Sequence, residues 1–249
     1  ERLDPVVYIP PHEGIAPAHF ERGCLDIRII LLDNKIAGLW FLPHEERMPV
    51  PERNTMPMRL PFNGKWLVFW GGDTAELSGH HHTDPGQRYA FDFLVPGENG
   101  LTYRNHGLEN QDYYAFGKEV LAPADGVVRT VIRGVSDNRP NSMNPYSGVG
   151  NATIIEHAKD VFSLIAHFKL GSIRVNVGDD VTAGQVLGLC GNSGNSSEPH
   201  IHFHLMHSGV MQEGKAVKCV FSNVRRHRDG ESETLRLYSP IKGDVVEPE

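Results

Sequence analysis

From Lys65 to His207 the chain consists of short apolar stretches separated by turns, and this pattern limits the fold more than any other feature. The stretches are rich in Val, Ile, Leu and Phe, as in "RYAFDFLV", "FSLIAHF" and "HIHFHLMH". Gly, Asn, Asp and Pro lie between them, and the whole chain has 26 Gly and 17 Pro. Short strands spaced in this way are typical of a sandwich or barrel, and no long amphipathic helix is evident. We therefore expect an all-β fold.

Three regions are predicted along the chain. Residues 1–60 are rich in proline and are expected to form an irregular, β-containing appendage. Within them, Leu25–Asp33 and the following "KIAGLWFL" predict a β-hairpin that turns at "DNK", and "PHEERMPVPERNTMPMRLP" predicts a linker or a wrapping arm. Residues 61–212 form the predicted core, and residues 213–249 a C-terminal extension that completes or flanks it.

Composition excludes several classes of protein. A chain of 249 residues can bury a sizeable core, and its net charge of −7 argues against capture of nucleic acid, which needs a basic surface. No apolar run approaches the roughly 20 residues of a membrane-spanning helix. The three cysteines, Cys24, Cys190 and Cys219, match no zinc-binding or redox spacing and are interpreted as isolated thiols. The first residues do not read as a secretory signal.

Three histidines alternate with apolar residues in "HIHFHL", which runs from His200 to Leu205. Successive side chains of a strand point to opposite faces, so His200, His202 and His204 share one face. The three apolar residues between them form the opposite, core face. We expect the histidines to line an accessible surface on which two rings, about 7 Å apart along the strand, reach one small site. His204 lies further along and is the weaker candidate. Solvated histidines on an outer face are the alternative.

A carboxylate is expected inside another apolar strand, because Asp92 lies between Phe91 and Phe93. A buried carboxylate is costly unless it is paired, hydrogen-bonded or bound to a metal. Three histidines, His80–His82, precede it across a Pro-Gly loop. One of them, together with Asp92 and a strand histidine, makes an N,N,O ligand set that suits catalytic zinc and leaves a fourth position for water. The alternatives are a salt bridge to Arg88 and a polar turn.

Two further histidines end apolar strands. His167 closes "VFSLIAHF" and is expected at the rim of the same sheet face. There it would donate a hydrogen bond or, when protonated, stabilise a developing oxyanion. His157 in "IIEHA" is interpreted as an ordinary structural histidine.

A longer series of motifs carries a family resemblance. The His…Asp segment is followed by "APADGVV", by "GNATIIEHAKDVFSLIAHF" and by "VNVGDDVTAGQVLGLCGNSGNSSEPHIHFHL". This order resembles the lysostaphin/LytM-type zinc metallopeptidases, which are cell-wall endopeptidases. The likeness spans about Gly71 to His207 and is most specific from Gly191 to His202. It implies an open antiparallel β-sheet core of the duplicated hybrid motif type.

The resemblance also implies roles for five residues. His202 corresponds to a zinc ligand and His200 to the catalytic general base. His167 corresponds to the histidine that activates water or stabilises the transition state, and Asp92 to the aspartate ligand. The remaining ligand departs from the simplest His-x-x-x-Asp pattern. Relatives with a longer loop carry a histidine eleven residues before the aspartate, which selects His81.

His82 is the close competitor of His81 as the first ligand, and His80 is a distant one. The implied cofactor is Zn²⁺, and the implied reaction is hydrolysis of a peptide bond in peptidoglycan by metal-activated water. The implied location is the cell envelope, the periplasm or the outside of the cell.

Two alternatives belong to other classes. One is a metallopeptidase-like module that has lost catalysis and activates a partner cell-wall hydrolase. The other is a biotinyl or lipoyl carrier domain, which "VNVGDDVTAGQVLGLCG" resembles. A carrier needs a lysine in a tight hairpin, and Lys169 is not so placed.

Overall fold

The computed structural model describes residues 2–3, 7–9, 13–21, 23–32, 35–43, 53–211 and 213–249. The chain divides into two compact units, Glu1–Pro49 and Val50–Glu249. The three-part division at residues 60 and 212 stays a prediction. Among the described residues, no helix has the length and hydropathy needed to cross a lipid bilayer.

The described residues of the first unit form a five-stranded antiparallel sheet. Its strands are β1 (Arg2–Leu3), β2 (Val7–Ile9), β3 (Glu13–Phe20), β4 (Gly23–Leu32) and β5 (Lys35–Pro43). Strands β4 and β5 pair in antiparallel register with Leu32 opposite Lys35, which confirms the predicted hairpin. Residues 33–34 of its turn and residues 44–52 of the predicted linker lie outside the described residues.

The second unit is also built from strands, which confirms the expected all-β class. The helical elements in its described part are one α-helical turn and two 3₁₀ turns: α1 (Ala75–Ser78), Gly79–Thr83 and Asn110–Asp112. The strands are β6 (Trp66–Trp70), β7 (Phe91–Leu94), β8 (Glu119–Leu121), β9 (Gly126–Ile132), β10 (Asn151–Ala158), β11 (Val161–Phe168), β12 (Asp180–Val181), β13 (Val186–Leu189), β14 (Ile201–Met206), β15 (Ala216–Val217), β16 (Phe221–Arg228), β17 (Glu231–Tyr238) and β18 (Val245–Pro248).

One large antiparallel sheet places the histidine strand in the middle of the unit. Its order is β12-β9-β10-β11-β14-β7-β6-β18-β16-β17, and β15 also pairs with β14. Strands β8 and β13 form a separate two-stranded sheet. Because β14 lies between β11 and β7, side chains from three sequence-distant strands meet on each face of the sheet.

The main core lies on one face of this sheet. It contains Ile201, Phe203 and Leu205, each with no exposed surface, as the alternation in β14 predicted. Phe91 and Phe93 of β7 pack there with stacked rings 5.5 Å apart. These residues bury large apolar surfaces, so β7 and β14 are held in a fixed register relative to each other.

The opposite face carries a smaller apolar cluster beside the histidines. It consists of five buried residues from β10, β11 and β14: Ala152, Ile154, Leu164, Ala166 and Met206. Val149, at the end of the long segment predicted as an exposed insertion, packs against this cluster. The insertion therefore covers part of the histidine face.

Candidate active site

A cross-strand pair forms the centre of the site. Asp92 of β7 lies directly opposite His202 of β14 in the antiparallel register. The Nδ1 atom of His202 is 3.0 Å from Oδ1 of Asp92. Phe91 and Phe93 face the core, so the period of two turns Asp92 to the other face. The pairing follows from the register that the apolar residues impose.

Two more histidines converge on the Asp92 carboxylate. His81 Nε2 lies 3.6 Å from Oδ2, and His200 Nε2 lies 3.6 Å from Oδ1. Burial alone raises the pKa of Asp92, but attraction to His200 and the hydrogen bond from His202 outweigh it and hold that pKa below its usual range. Arg88, the alternative partner for Asp92, has its guanidinium 6.0 Å from the ring centre of Tyr89.

His81 reaches the site from the 3₁₀ turn Gly79–Thr83 and is 1% exposed. Burial lowers the pKa of His81 to about 3 and outweighs the raising effect of Asp92, so its imidazole is neutral. Its Nδ1 is buried and has no hydrogen-bond partner among the described residues. His82 does not line the cavity around Asp92, whereas His80 does. The structure thus brings His80, the distant competitor, nearer to Asp92 than the sequence indicated.

A β-bulge turns His167 into the site. Between the pairs Asn151–Phe168 and Thr153–Ile165, strand β11 advances three residues while β10 advances two. The extra residue is His167, whose φ of 66° is in the left-handed region that non-glycine residues rarely adopt. As a result Ala166 and His167 both lie on the histidine face, and Phe168 returns to the main core. Bulges of this kind re-aim a side chain next to functional sites.

Backbone carbonyl groups hold His167 and His200 in one tautomer. His167 Nδ1 donates a hydrogen bond to the carbonyl oxygen of Ser193 at 2.7 Å, and His200 Nδ1 donates to that of Glu198 at 2.8 Å. The proton on Nδ1 leaves a lone pair on Nε2 of each neutral ring. Burial, with the neighbouring His200 and His202, also holds the pKa of His167 well below its usual value.

The loop that carries these carbonyl groups is held by a polar network. Ser196 Oγ donates to Asn192 Oδ1 at 2.7 Å and lies 3.2 Å from His200 Nδ1. Glu198 accepts a hydrogen bond from Thr102 Oγ1 at 2.5 Å. Sequence reasoning missed these supporting residues. The signal that was present is the small polar run "GNSGNSSEP", whose turns bring backbone carbonyls close to the histidines.

His204 is the third histidine of the alternating set. Its Nδ1 lies 2.9 Å from Nε2 of His202. Both residues are 5% exposed. The expectation of an accessible histidine face was therefore wrong for this pair, because the long insertion and the small apolar cluster cover that part of the sheet. Burial also lowers the pKa of His204 well below its usual value.

The five residues predicted for the site line one cavity of about 530 Å³. Its wall also contains apolar residues, among them Phe69, Trp70 and Met143, and the acidic residue Glu198. Among the described residues that form this wall there is neither a lysine nor an arginine. Among the wall residues that the structure describes, Asp92 and Glu198 are acidic, and no basic lysine or arginine side chain there offsets them.

Two of the separations within the set His81, Asp92 and His202 suit a zinc ion. Two ligands that bind tetrahedral zinc at about 2.0–2.1 Å lie about 3.3 Å from each other. The separations of 3.6 Å for His81–Asp92 and 3.0 Å for Asp92–His202 bracket that value. Among the described residues, the group whose ligand atoms all lie within 4.8 Å of one another is His80, His81 and Asp92, without His202, so His80 is a further nearby donor. His80 is exposed, whereas the other two are buried, so His80 is less constrained at this position.

Other groups that the sequence singled out have structural surroundings. His157 bonds through its two ring nitrogens to the Asp125 carbonyl oxygen and to Ser163 Oγ, as expected of a structural histidine. Cys190 and Cys219 are free, buried thiols, and burial raises the pKa of each. They are not reactive groups at neutral pH.

A family model and several curated proteins match part of this chain. The family model described as "Peptidase family M23" matches residues 109–218, which include His167, His200 and His202. The chain is 28% identical to the murein hydrolase activator EnvC of Escherichia coli over 44% of its own length and 25% of that protein's. It is 31% identical to the DD-carboxypeptidase/endopeptidase Mpg of Neisseria meningitidis over 43% of its length and 23% of that protein's.

A third relative is the peptidoglycan DD-endopeptidase ShyA of Vibrio cholerae, with 36% identity over 26% of this chain and 14% of that protein. The chain thus spans a quarter or less of the length of these curated relatives. The family match, the all-β sheet and the resemblance in the histidine motifs agree with one another. Over residues 109–218 the chain is similar to peptidase family M23.

Proposed function

We propose that this chain is a zinc-dependent endopeptidase that hydrolyses a peptide bond in peptidoglycan. The observation that carries the proposal is the convergence of His81, Asp92, His167, His200 and His202 on one cavity. Three of them supply a zinc ligand set, and the other two present unprotonated ring nitrogens. Relatives named as peptidoglycan peptidases support the substrate class. The proposed location is outside the cytoplasmic membrane, where peptidoglycan lies.

His81, Asp92 and His202 are the proposed zinc ligands. All three are buried, and the neutral state of His81 leaves a lone pair for a metal. When bound, zinc lowers the pKa of a coordinated water and polarises the carbonyl group of the scissile bond. The carboxylate of Asp92 lies among the histidine nitrogens and would partly neutralise the charge of a bound ion.

His200 is the proposed general base. Its Nδ1–H is anchored on the Glu198 carbonyl, so its Nε2 lone pair faces the Asp92 side of the cavity. There it takes a proton from the attacking water and later gives it to the leaving amine. His167 has the same tautomer, so its Nε2 accepts a hydrogen bond and orients the water. This geometry favours water activation over the oxyanion role for His167.

The cavity favours internal peptide bonds over C-terminal ones. A carboxypeptidase needs a cationic group for the terminal carboxylate of its substrate, and arginine is the residue best suited to that contact. In the part of the chain that the structure describes, no lysine or arginine lines the cavity, whereas the acidic residues Asp92 and Glu198 do. A free carboxylate near the scissile bond would be repelled, so cleavage within a peptide is the better-supported activity.

A non-catalytic activator is the second candidate, favoured by the similarity to EnvC. Zinc content and hydrolysis separate the two. We would measure zinc by elemental analysis after reconstitution and follow release of soluble fragments from purified peptidoglycan. His202→Ala should lose both zinc and hydrolysis. His200→Ala should keep zinc and lose hydrolysis by about 10²-fold or more.

The exposed His106, outside the cavity, offers a matched control, and His106→Ala should retain both properties. Stoichiometric zinc without hydrolysis of any peptidoglycan would favour the activator. Absence of zinc from the reconstituted wild type would refute the proposed enzyme.

A further inference from the structure

His204 has no part in the proposed chemistry, although it completes the alternating histidine set. It is 5% exposed and does not line the cavity, so it cannot contact a substrate there. It lies opposite Leu164 in the β11–β14 register. A polar side chain in such surroundings requires a hydrogen-bond partner. Its Nδ1 has one in Nε2 of His202, at 2.9 Å.

Two imidazole nitrogens at this distance must share a single proton. One nitrogen donates its N–H and the other accepts with its lone pair. The other nitrogen of His202, Nδ1, faces Asp92 at 3.0 Å. Without a metal, His202 donates its Nδ1–H to the carboxylate, which only accepts, so Nδ1–H of His204 is the donor to Nε2 of His202. A metal bound beside Asp92 would need the Nδ1 lone pair; the proton of His202 would then be on Nε2, and Nδ1 of His204 would accept it.

We propose that His204 is a positioning residue that holds the ring of His202 through Nε2, as a donor in the metal-free protein and as an acceptor when the Nδ1 lone pair of His202 binds a metal beside Asp92. The effect on zinc rests on the proposed function. A partner on the second ring nitrogen orients a ligating histidine, and loss of such a partner typically lowers metal affinity about 10–100-fold. Here a histidine takes the place that a carboxylate or a backbone carbonyl usually occupies.

The rings of the pair have the geometry for this contact. Their planes lie at 80° with centroids 5.2 Å apart, so the two rings are not stacked. The strand period places both on one face, and the pairing of β14 with β7 and β11 on its two sides holds its backbone. His202 therefore keeps its orientation without any group from the substrate.

Two variants separate the hydrogen bond from the packing. Asn in His204→Asn places an amide oxygen near the position of Nδ1 and keeps an acceptor. Leu in His204→Leu fills a similar space without any acceptor. We expect zinc affinity, measured by competition with a chelator, to fall about 10–100-fold in His204→Leu and to stay within a few-fold of wild type in His204→Asn.

The contact is read independently of zinc. In the metal-free protein, the ¹⁵N chemical shift of His202 Nε2 should be that of an unprotonated nitrogen accepting a hydrogen bond in wild type and in His204→Asn, whose amide group can also donate. Loss of this hydrogen bond should shift the Nε2 resonance in His204→Leu. An unchanged Nε2 resonance together with unchanged zinc affinity in His204→Leu would overturn the inference. Complete loss of zinc in both variants would also overturn it and would make His204 a ligand.

If the wild type binds no zinc, the proposed function fails but the ¹⁵N spectra still decide the inference. A His202 Nε2 resonance that depends on a hydrogen-bonding side chain at position 204 supports it, and one that does not depend on it refutes it.

Discussion

The backbone strain at His167 predicts that glycine is more stable than alanine at this position, which reverses the usual order in a strand. In most strand positions glycine is less stable than alanine by about 0.5–1 kcal/mol, because glycine loses more backbone entropy on folding. His167 has a φ of 66°, where a residue with a Cβ atom is disfavoured by about 1–2 kcal/mol. Glycine is free of that cost. We therefore expect His167→Gly to be more stable than His167→Ala by about 0.5–1 kcal/mol.

The comparison cancels the other effects of the substitution. Both variants lose the hydrogen bond from Nδ1 to the Ser193 carbonyl oxygen and both remove the buried imidazole. What differs is the Cβ atom. Free energies of unfolding from urea titrations of the metal-free proteins, followed by tryptophan fluorescence, measure that difference.

Thr234, an exposed residue within β17, provides the control. There Thr234→Gly should be less stable than Thr234→Ala by about 0.5–1 kcal/mol, which is the ordinary order. If alanine equals or exceeds glycine at position 167 as well, the residue is not strained and the β-bulge account of its orientation is wrong.

Three further predictions concern the site and its support. His81→Ala should lose bound zinc whereas His82→Ala should keep it, as measured by elemental analysis; the reverse outcome would exchange their roles. Gly150→Ala should lower the free energy of unfolding by about 2–4 kcal/mol, because φ there is +62° and a Cβ would lie 2.4 Å from the Ser193 carbonyl; a change below about 0.5 kcal/mol would contradict this close approach. In metal-free protein, stability should fall as pH drops below about 6.5, the ordinary pKa of histidine in an unfolded chain. The pKa of folded His81 is about 3, so the unfolded state binds more protons throughout that window. Urea titrations in EDTA at pH 7.5 and 5.5 should show a smaller fall in His81→Ala, and an equal fall would contradict the assignment.

Local patterns in the sequence were sufficient to predict the fold class and to predict which residues of β7 and β14 face the core and which face the site. Alternation in a strand depends on backbone geometry alone, so Ile201, Phe203 and Leu205 could be assigned to the core from the order of residues in "HIHFHL". Phe91 and Phe93 likewise placed Asp92 on the opposite face. The hairpin of the first unit was predicted for the same reason, since its two apolar runs flank a short polar turn.

Partners distant in sequence were decided by the tertiary structure. Asp92 and His202 are 110 residues apart, and only strand pairing makes them neighbours. The bulge at His167 breaks the period of two, so alternation alone would have turned His167 into the core. The selection of His81 from three consecutive histidines depends on how the turn Gly79–Thr83 packs.

The sequence therefore determined which residues were available for the site, and the tertiary structure decided which of their atoms meet. A strand's period is set by its own backbone, whereas a ring nitrogen's proton is set by the partner on the other side of the ring. For His202 those partners are Asp92 on a neighbouring strand and His204 on its own. The first becomes adjacent when the sheet assembles, and the second becomes a buried hydrogen-bond partner when the face beside it is covered.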